Sequence, residues 1–380
     1  MTHSPLARLR RVWLDVHLWL GVGLMVVLIP LSVSGAILVW HDALDRSLYA
    51  SRYAVSGPEA SQPVGAYAAA AARAFAGRAT LTQIRLPLRR GDPVVAVGRI
   101  AGPTGSGGRP RTYNVWIDPP TARVLADVEI ARTFIMVTHQ LHGSLLVPGT
   151  GRQIVGWLGW AMFVSSATGL WLWWPRHAGF VKGLRWRRGA STMFNLHHTV
   201  GFWLCLPLAV LSLTGVYIAF PQTSHALVGA PAPPVRSPGR FAPPVERSAT
   251  GLEAAVAAAL AANPGAAVAT LNTPTKGKDP AWRIELNPAG GGKAVTVQVR
   301  DATGRTKPAK ARADTAKPGG GEGGPDPVSR WMRSVHDGGG MGMVWRIVIT
   351  LAGVAPAVLG VTGLVMWLRR RARQRAIGRA

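Results

Sequence analysis

The sequence predicts an integral membrane protein in which four transmembrane helices form an all-α bundle of two parallel repeats, with two small α+β modules outside the membrane. Three observations predict this class. The 380-residue chain is 48% hydrophobic and only 16% charged, it has four uncharged stretches long enough to span a bilayer, and its two halves align with each other. A net charge of +26 spread so thinly argues against a disordered basic tail or a soluble nucleic-acid-binding protein.

The four uncharged stretches set the domain boundaries, since a spanning helix needs about 20 apolar residues. They are Val16 to His41, Gln153 to Pro175, His198 to Phe220 and Ile347 to Leu368. We divide the chain into a stub and first span (1–41), an outside module (42–132), a pre-helix and second span (133–176), a cytoplasmic connection (177–197), a third span (198–220), a second outside module (221–329), a pre-helix and fourth span (330–368), and a basic tail (369–380).

Basic residues at the short flanks predict the orientation of the spans. Arg8, Arg10 and Arg11 precede the first span, five basic residues and no acid lie between the second and third spans, and six arginines follow the fourth. Short cytoplasmic flanks carry such an excess, so both ends of the chain are predicted in the cytoplasm and both long connections outside. This topology explains the positive charge of the chain. We therefore expect membrane lipid, and no nucleic acid, as a partner of the protein.

Each outside segment is predicted to fold as a helix followed by short strands. In the first, an Ala-rich helix at Ala66 to Ala76 precedes strands at Pro93 to Gly98 and Thr112 to Ile117. In the second, a helix at Leu252 to Ala262 precedes strands at Ala281 to Leu286 and Ala294 to Val299. Pro/Gly-rich composition predicts linkers at Gly102 to Gly108, Ala230 to Pro244 and Lys307 to Pro327.

An internal repeat separates four histidines from the other six. A shift of 180 residues aligns His17 with His197, and a shift of 194 aligns His142 with His336. Because both copies start from the cytoplasm, the repeat is parallel and its pseudo-axis runs along the membrane normal. We therefore expect His17 and His197 to face each other at the cytoplasmic end, and His142 and His336 at the outer end.

Such pairs suit axial ligation of haem iron, because two imidazoles on opposing helices can bind one iron from both faces. The alternative is an interfacial polar residue or an interhelical hydrogen bond. Arg152 and Arg346, aligned by the same repeat, are expected to pair with the haem propionates or to act as interfacial anchors. With one cysteine, Cys205, the chain alone cannot build a multi-cysteine iron–sulfur or zinc site.

The remaining histidines have no partner in the repeat. His139, His198 and His41 are kept as substitute ligands, since each lies close in sequence to a repeated histidine or at a span end. His3, His177 and His225 are predicted to be solvated residues of flanks or loops. Glycines in the spans are interpreted mainly as helix-packing positions.

The two copies of the repeat contain the motifs His17-x-x-x-Gly21, Leu196-His197-x-x-x-Gly201, Leu141-His142-Gly143-Ser144, Thr168-Gly169-Leu170-x-x-Trp173 and Thr362-Gly363-Leu364-x-x-Trp367. These motifs resemble the PepSY-associated transmembrane-helix family, which includes bacterial inner-membrane reductases of ferric siderophores. The likeness covers nearly the whole chain, and the outside modules resemble periplasmic PepSY domains. The resemblance implies two haem b groups held by membrane histidines, here His17, His197, His142 and His336.

From these features we expect an oxidoreductase that passes electrons outward across the inner membrane to a ferric siderophore. The cytoplasmic donor is left open between a flavin reductase, a reduced nicotinamide system and quinol, because no motif for any of them is present. The alternatives are a membrane-anchored PepSY binding or regulatory protein without redox activity, a siderophore permease, and a haem protein with another acceptor or the reverse direction of electron flow.

Overall fold

The computed structural model describes residues 5–102, 110–174, 189, 191–229, 242–289, 292–311 and 327–377. The chain forms two compact units. One, here called the helical unit, comprises residues 1–41, 138–231 and 327–380, and the other, the sheet unit, comprises residues 42–137 and 232–326. The predicted linkers at 102–108, 230–244 and 307–327 fall largely outside the described residues.

Ten α-helices are present in the described residues. They are α1 (Pro5–Leu38), α2 (His41–Leu48), α3 (Val64–Phe75), α4 (Phe134–Ser144), α5 (Gly151–Trp173), α6 (Thr192–Ala219), α7 (Pro221–Leu227), α8 (Leu252–Ala261), α9 (Pro327–Asp337) and α10 (Gly342–Ile377). Four of them, α1, α5, α6 and α10, are long and apolar enough to cross a membrane. The protein is therefore an integral membrane protein, as the sequence predicts.

The four long helices pack as a closed ring of neighbours. α5 packs against α6, α6 against α10, α10 against α1 and α1 against α5, so α1 and α6 lie on one diagonal. Leucine side chains fill the layer beside α1, around Leu28, Leu31 and Leu158. The second copy repeats the arrangement around Leu208, Ala352 and Ala355. This equivalence confirms the two-copy pattern inferred from the sequence.

The helices extend beyond the predicted uncharged windows. α1 begins at Pro5 rather than near Val16, and α10 continues from Leu368 to Ile377. Arginine has a high helix propensity, so the basic flanks continue the helices instead of ending them. The predicted pre-helices are also present, as α4 and α9.

The sheet unit contains eight strands in one sheet. They are β1 (Ala79–Arg85), β2 (Val94–Ile100), β3 (Thr112–Ile117), β4 (Val124–Glu129), β5 (Ala267–Asn272), β6 (Ala281–Asn287), β7 (Val295–Arg300) and β8 (Thr306–Ala311). Their order is β4-β3-β2-β1-β5-β6-β7-β8, and every neighbouring pair is antiparallel. The predicted strands correspond to β2, β3, β6 and β7, whereas β8 lies where a linker was predicted.

The two predicted modules share this sheet, which the sequence did not predict. β1 of the first module pairs with β5 of the second, with Ile84 opposite Leu271. Both side chains are almost completely buried, at 1% and 0% exposure, so the two apolar cores meet at this pair. α3 and α8 pack over the two cores, and the Gly65 N–H donates to Glu253 Oε1 at 2.7 Å. The modules are therefore one structural unit.

Each half of the sheet unit has a buried aspartate that directly follows a strand and accepts several hydrogen bonds. Asp118 follows β3 and accepts hydrogen bonds from the N–H and hydroxyl of Ser56 at 2.7 and 2.6 Å. Asp301 follows β7 and accepts from the Ser248 hydroxyl and from the N–H groups of Ala249 and Thr250. Burial alone would raise the pKa of Asp301, but these donors outweigh it and hold the pKa below its usual value.

Candidate functional site

The structure brings the four repeated histidines together in the two predicted pairs. His17 on α1 and His197 on α6 have ring centres 6.2 Å apart, with the ring planes at 90°. His142 on α4 and His336 on α9 have ring centres 5.9 Å apart, at 37°. We call these the first pair and the second pair. Both are contained in the helical unit.

The ring separations match the requirement for two imidazoles that bind one metal from opposite sides. Two metal–imidazole bonds of about 2 Å, plus roughly 1 Å from each nitrogen to its ring centre, place the centres about 6 Å apart. Aromatic rings in direct contact also have centres about 4.5–7 Å apart, so the spacing of each pair is compatible with a two-ligand site.

Hydrogen bonds to Nδ1 set the tautomer in the first pair. His17 Nδ1 lies 3.1 Å from both the Ser165 carbonyl and the Thr168 hydroxyl on α5. His197 Nδ1 lies 3.0 Å from the Thr362 hydroxyl on α10. Both threonine hydroxyls donate to carbonyls of their own helix, so they accept from the histidines. Nδ1 therefore carries the hydrogen, and the Nε2 lone pair is left for a metal.

The second pair has the same arrangement. His142 Nδ1 donates to the Leu31 carbonyl on α1 at 2.8 Å. His336 Nδ1 donates to the Leu211 carbonyl and the Thr214 hydroxyl on α6, at 3.1 and 3.0 Å. Among the described residues, no group hydrogen-bonds to Nε2 of any of the four rings. All four imidazoles are thus oriented as neutral metal ligands.

One glycine accommodates each of the four rings. A Cβ at Gly35 would lie 2.7 Å from His142 Cε1, and one at Gly215 would lie 3.2 Å from His336 Cε1. The corresponding distances are 3.1 Å for Gly169 to His17 and 3.5 Å for Gly363 to His197. These glycines therefore permit the close approach of a neighbouring helix, as interpreted from the sequence, and the group that approaches is the ring of a paired histidine.

The two pairs lie at different depths of the same bundle. Along α1, 14 residues separate His17 from Leu31, whose carbonyl holds His142. Along α6 the same number separates His197 from Leu211, so the pairs are about 21 Å apart along the helix axes. The intervening layer is filled by aliphatic side chains such as Leu28 and Leu208.

A model of the PepSY-associated TM region matches residues 14–370, which is most of the chain. The protein belongs to the PepSY-associated TM region family. The match includes both copies of the repeat and all four paired histidines. No curated protein matches the chain.

The substitute histidines of this PepSY-associated TM protein lie outside both pairs. His198 stacks on Phe194 with ring centres 4.7 Å apart, and His41 Nδ1 donates to the Leu38 carbonyl. His139 is exposed. None of the three substitutes therefore takes part in the two observed pairs, which consist of the repeated histidines.

The solvated-loop prediction for His225 was wrong. His225 lies on α7, only 7% exposed, and its Nε2 lies 2.8 Å from the Ser329 hydroxyl. The short apolar–polar pattern of α7 gave little signal for a buried helix. His3 and His177, assigned to the same class, lie outside the described residues.

The two arginines expected beside propionates contact backbone carbonyls at helix ends. Arg346 donates to the Val39 carbonyl at 2.6 Å, and its guanidinium lies 4.5 Å from the centre of the Trp40 ring. Arg152 donates to the Ile218 carbonyl at the end of α6. These contacts satisfy carbonyls that a helix end leaves without an intrahelical partner. Guanidinium groups carry further N–H donors, so a propionate contact stays a prediction.

The donor set fits haem better than a metal bound by protein side chains alone. No group of three or more His, Cys, Asp or Glu side chains suited to a metal occurs among the described residues. Two-coordinate sites of neutral imidazoles suit an iron whose other ligands come from a macrocycle. Beside the first pair, a Cβ at Gly21 would meet no described atom within 4 Å, so open space is present there. The residues therefore fit haem.

Proposed function

We propose that this PepSY-associated TM protein is a di-haem b electron-transfer protein of the bacterial inner membrane. The observation that supports it most strongly is the two histidine pairs, each with the ring separation of a two-ligand site and each with Nδ1 engaged. His17 and His197 would hold one haem, and His142 and His336 the other. When bound, haem supplies reversible one-electron redox chemistry.

The residues of the chain orient the histidine rings and exclude water from the space between the two pairs. Thr168, Thr362 and Thr214 accept from Nδ1 and so leave the Nε2 lone pair of each ring for a metal. The aliphatic layer around Leu28 and Leu208 keeps the space between the pairs dry. About 21 Å between the levels of the pairs covers much of a hydrocarbon core of about 30 Å, so two sites divide the crossing into shorter steps.

The proposed direction is outward, from a cytoplasmic donor to a periplasmic ferric siderophore. The basic flanks of α1 and α10 support a cytoplasmic position for the first pair. Ferric iron is held tightly by hard oxygen ligands, and its reduction weakens that grip and releases the metal. The donor is proposed as a flavin reductase, a reduced nicotinamide system or quinol.

The test is single-turnover oxidation of the reduced protein. Haem-loaded protein, reduced with dithionite and desalted under argon, is mixed with a ferric hydroxamate siderophore and a ferrous-iron indicator. We expect haem oxidation and indicator colour to develop together, at about two ferrous ions per chain, one per haem. The gallium-loaded siderophore, of the same charge but not reducible, is the control.

Two results would contradict the proposal at different levels. A haem-loaded protein that ferric siderophores do not oxidise would refute the acceptor and keep the electron-transfer role. A protein that takes up no haem would refute the redox function and favour a PepSY binding protein.

A further inference from the structure

The second copy of the repeat contains a buried chain of hydrogen bonds. Tyr217 Oη on α6 lies 3.0 Å from Ser329 Oγ on α9, which lies 2.8 Å from His225 Nε2 on α7. The Tyr217 and His225 rings also stack, with centres 5.7 Å apart. All three residues are more than nine-tenths buried. We call this chain the latch.

The latch lies on the same helices as the ligand His336. Ser329 precedes His336 by seven residues, two turns of α9, so both side chains share one face. Thr214, which accepts from His336, precedes Tyr217 by one turn of α6. Two side-chain hydrogen bonds therefore hold α9 on α6. One joins His336 to Thr214, and the other, two turns of α9 earlier, joins Ser329 to Tyr217.

The first copy lacks both ties. Ser34 stands at the position of Thr214 and likewise donates to a carbonyl of its own helix, at 2.8 Å, but no hydrogen bond joins its hydroxyl to His142 in the described part of the chain. Ile37 and Ile135 stand at the positions of Tyr217 and Ser329 and have no hydroxyl to share. Among the described residues, the His142 ring is thus held by one hydrogen bond, to the Leu31 carbonyl.

The loop after His142 is also strained. Leu145 and Leu146 have φ of +52° and +60°, a region that costs a residue with a Cβ free energy. At the position of Leu146 the second copy has Gly340, with φ of +77°, where no such cost arises. The first copy therefore combines weaker side-chain anchoring with a strained connection.

We propose that Tyr217, Ser329 and His225 are positioning residues that hold α9 on α6, so that His336 is the fixed ligand of the second pair and His142 the exchangeable one. The naming of ligands rests on the proposed function. The latch itself does not, because its three members hydrogen-bond to one another and none of them is a proposed ligand.

Hydrogen exchange tests the latch on the full-length protein purified without added haem. We expect amides of α4 to exchange at least tenfold faster than those of α9. Ser329→Ala should speed exchange in α9 at least tenfold, and Tyr217→Phe, which keeps the ring, should do so to a smaller extent. The matched control is Ser144→Ala on α4, whose hydroxyl donates only to Gln140 of its own helix. Equal exchange of α4 and α9 in the wild type would overturn the latch.

Haem retention tests the unequal roles of the two histidines. In haem-supplemented cells, His142→Ala should keep about two haems per chain, one of them converted to a high-spin spectrum, whereas His336→Ala should lose roughly one. Equal loss in both variants, or the reverse order, would overturn the assignment. A wild type without haem would refute the proposed function, and the exchange contrast would still decide the latch.

Discussion

The glycines beside the histidine rings are the most sensitive single positions of the site. Gly35→Ala would put a methyl group 2.7 Å from His142 Cε1, closer than van der Waals contact allows, so the ring must move out of line with His336. We expect the variant to fold and insert and to keep about two haems per chain, with the one proposed at the second pair converted to a high-spin spectrum.

The matched control for this change is Gly23→Ala on the same helix. A Cβ at Gly23 meets no described atom within 4 Å, so that variant should keep both haems low-spin. A fully low-spin spectrum in Gly35→Ala, with about two haems by pyridine haemochrome, would mean that the ring packing does not control ligation.

Asp301 connects stability of the sheet unit to pH. The pKa of its carboxyl is lowered in the folded state. Its contribution to the free energy of unfolding is therefore fully present above the unfolded-state pKa of about 4, and it is lost as the pH falls through the folded-state pKa. Asp301→Asn exchanges one acceptor oxygen for a donor facing N–H groups and should cost about 2 kcal/mol at pH 7. Thermal unfolding of the sheet unit at pH 7 and pH 3 measures this.

The difference between the wild type and Asp301→Asn should be large at pH 7 and smaller at pH 3, because the stabilisation by the carboxylate begins to be lost below the unfolded pKa of about 4. A difference that stays constant between the two pH values would contradict the assignment of a charged Asp301 to this set of hydrogen bonds.

At the scale of elements, the pairing of β1 with β5 makes one cooperative sheet from two modules. Leu271→Ala should cost about 2–5 kcal/mol, because the side chain is fully buried against its partner Ile84. The destabilisation should reach the other half, so amides of β2 and β3 should exchange faster as well as those of β6. The control is Leu88→Ala, since Leu88 is 65% exposed. Faster exchange confined to β5–β8 would show that the halves unfold separately.

The elements also show which features can be predicted from a sequence. The spans were predictable because burial in lipid demands long apolar runs, and the strands β3 and β6 because of their alternating or β-branched composition. The junction of β1 with β5 was not, because pairing between strands nearly 190 residues apart leaves no local pattern. β8, which reads Thr-Lys-Pro-Ala-Lys-Ala, was missed because Pro and Lys are rare in strands.

The candidate site was predictable for a different reason, since the chain contains two copies of it. Alignment of His17 with His197 and of His142 with His336 selected four of ten histidines, and all four form the observed pairs. The supporting residues were not predictable in the same way. Gly35 and Thr362 are ordinary residues of membrane helices, and their roles depend on which side chain the neighbouring helix presents. His225 was missed because the repeat has no counterpart for it.

At the scale of the whole molecule, the two copies of the repeat have equivalent residues around their histidines, and the second copy also contains the latch. Equivalent histidines, glycines and carbonyls occur in both copies, whereas the latch of Tyr217, Ser329 and His225 occurs in one. The equivalent positions match the proposal of two similar haem sites in one bundle, and the latch makes the second pair, proposed to lie at the outer end, different from the first.

The most direct test of the account is the visible spectrum and pyridine haemochrome content of the detergent-purified protein, oxidised and dithionite-reduced. We expect about two low-spin b haems per chain. His17→Ala and His197→Ala should each disturb one haem, His142→Ala and His336→Ala should each disturb the other, and His198→Ala should leave both unchanged. A colourless wild type from haem-supplemented cells, or a haem spectrum that survives all four changes, would contradict it.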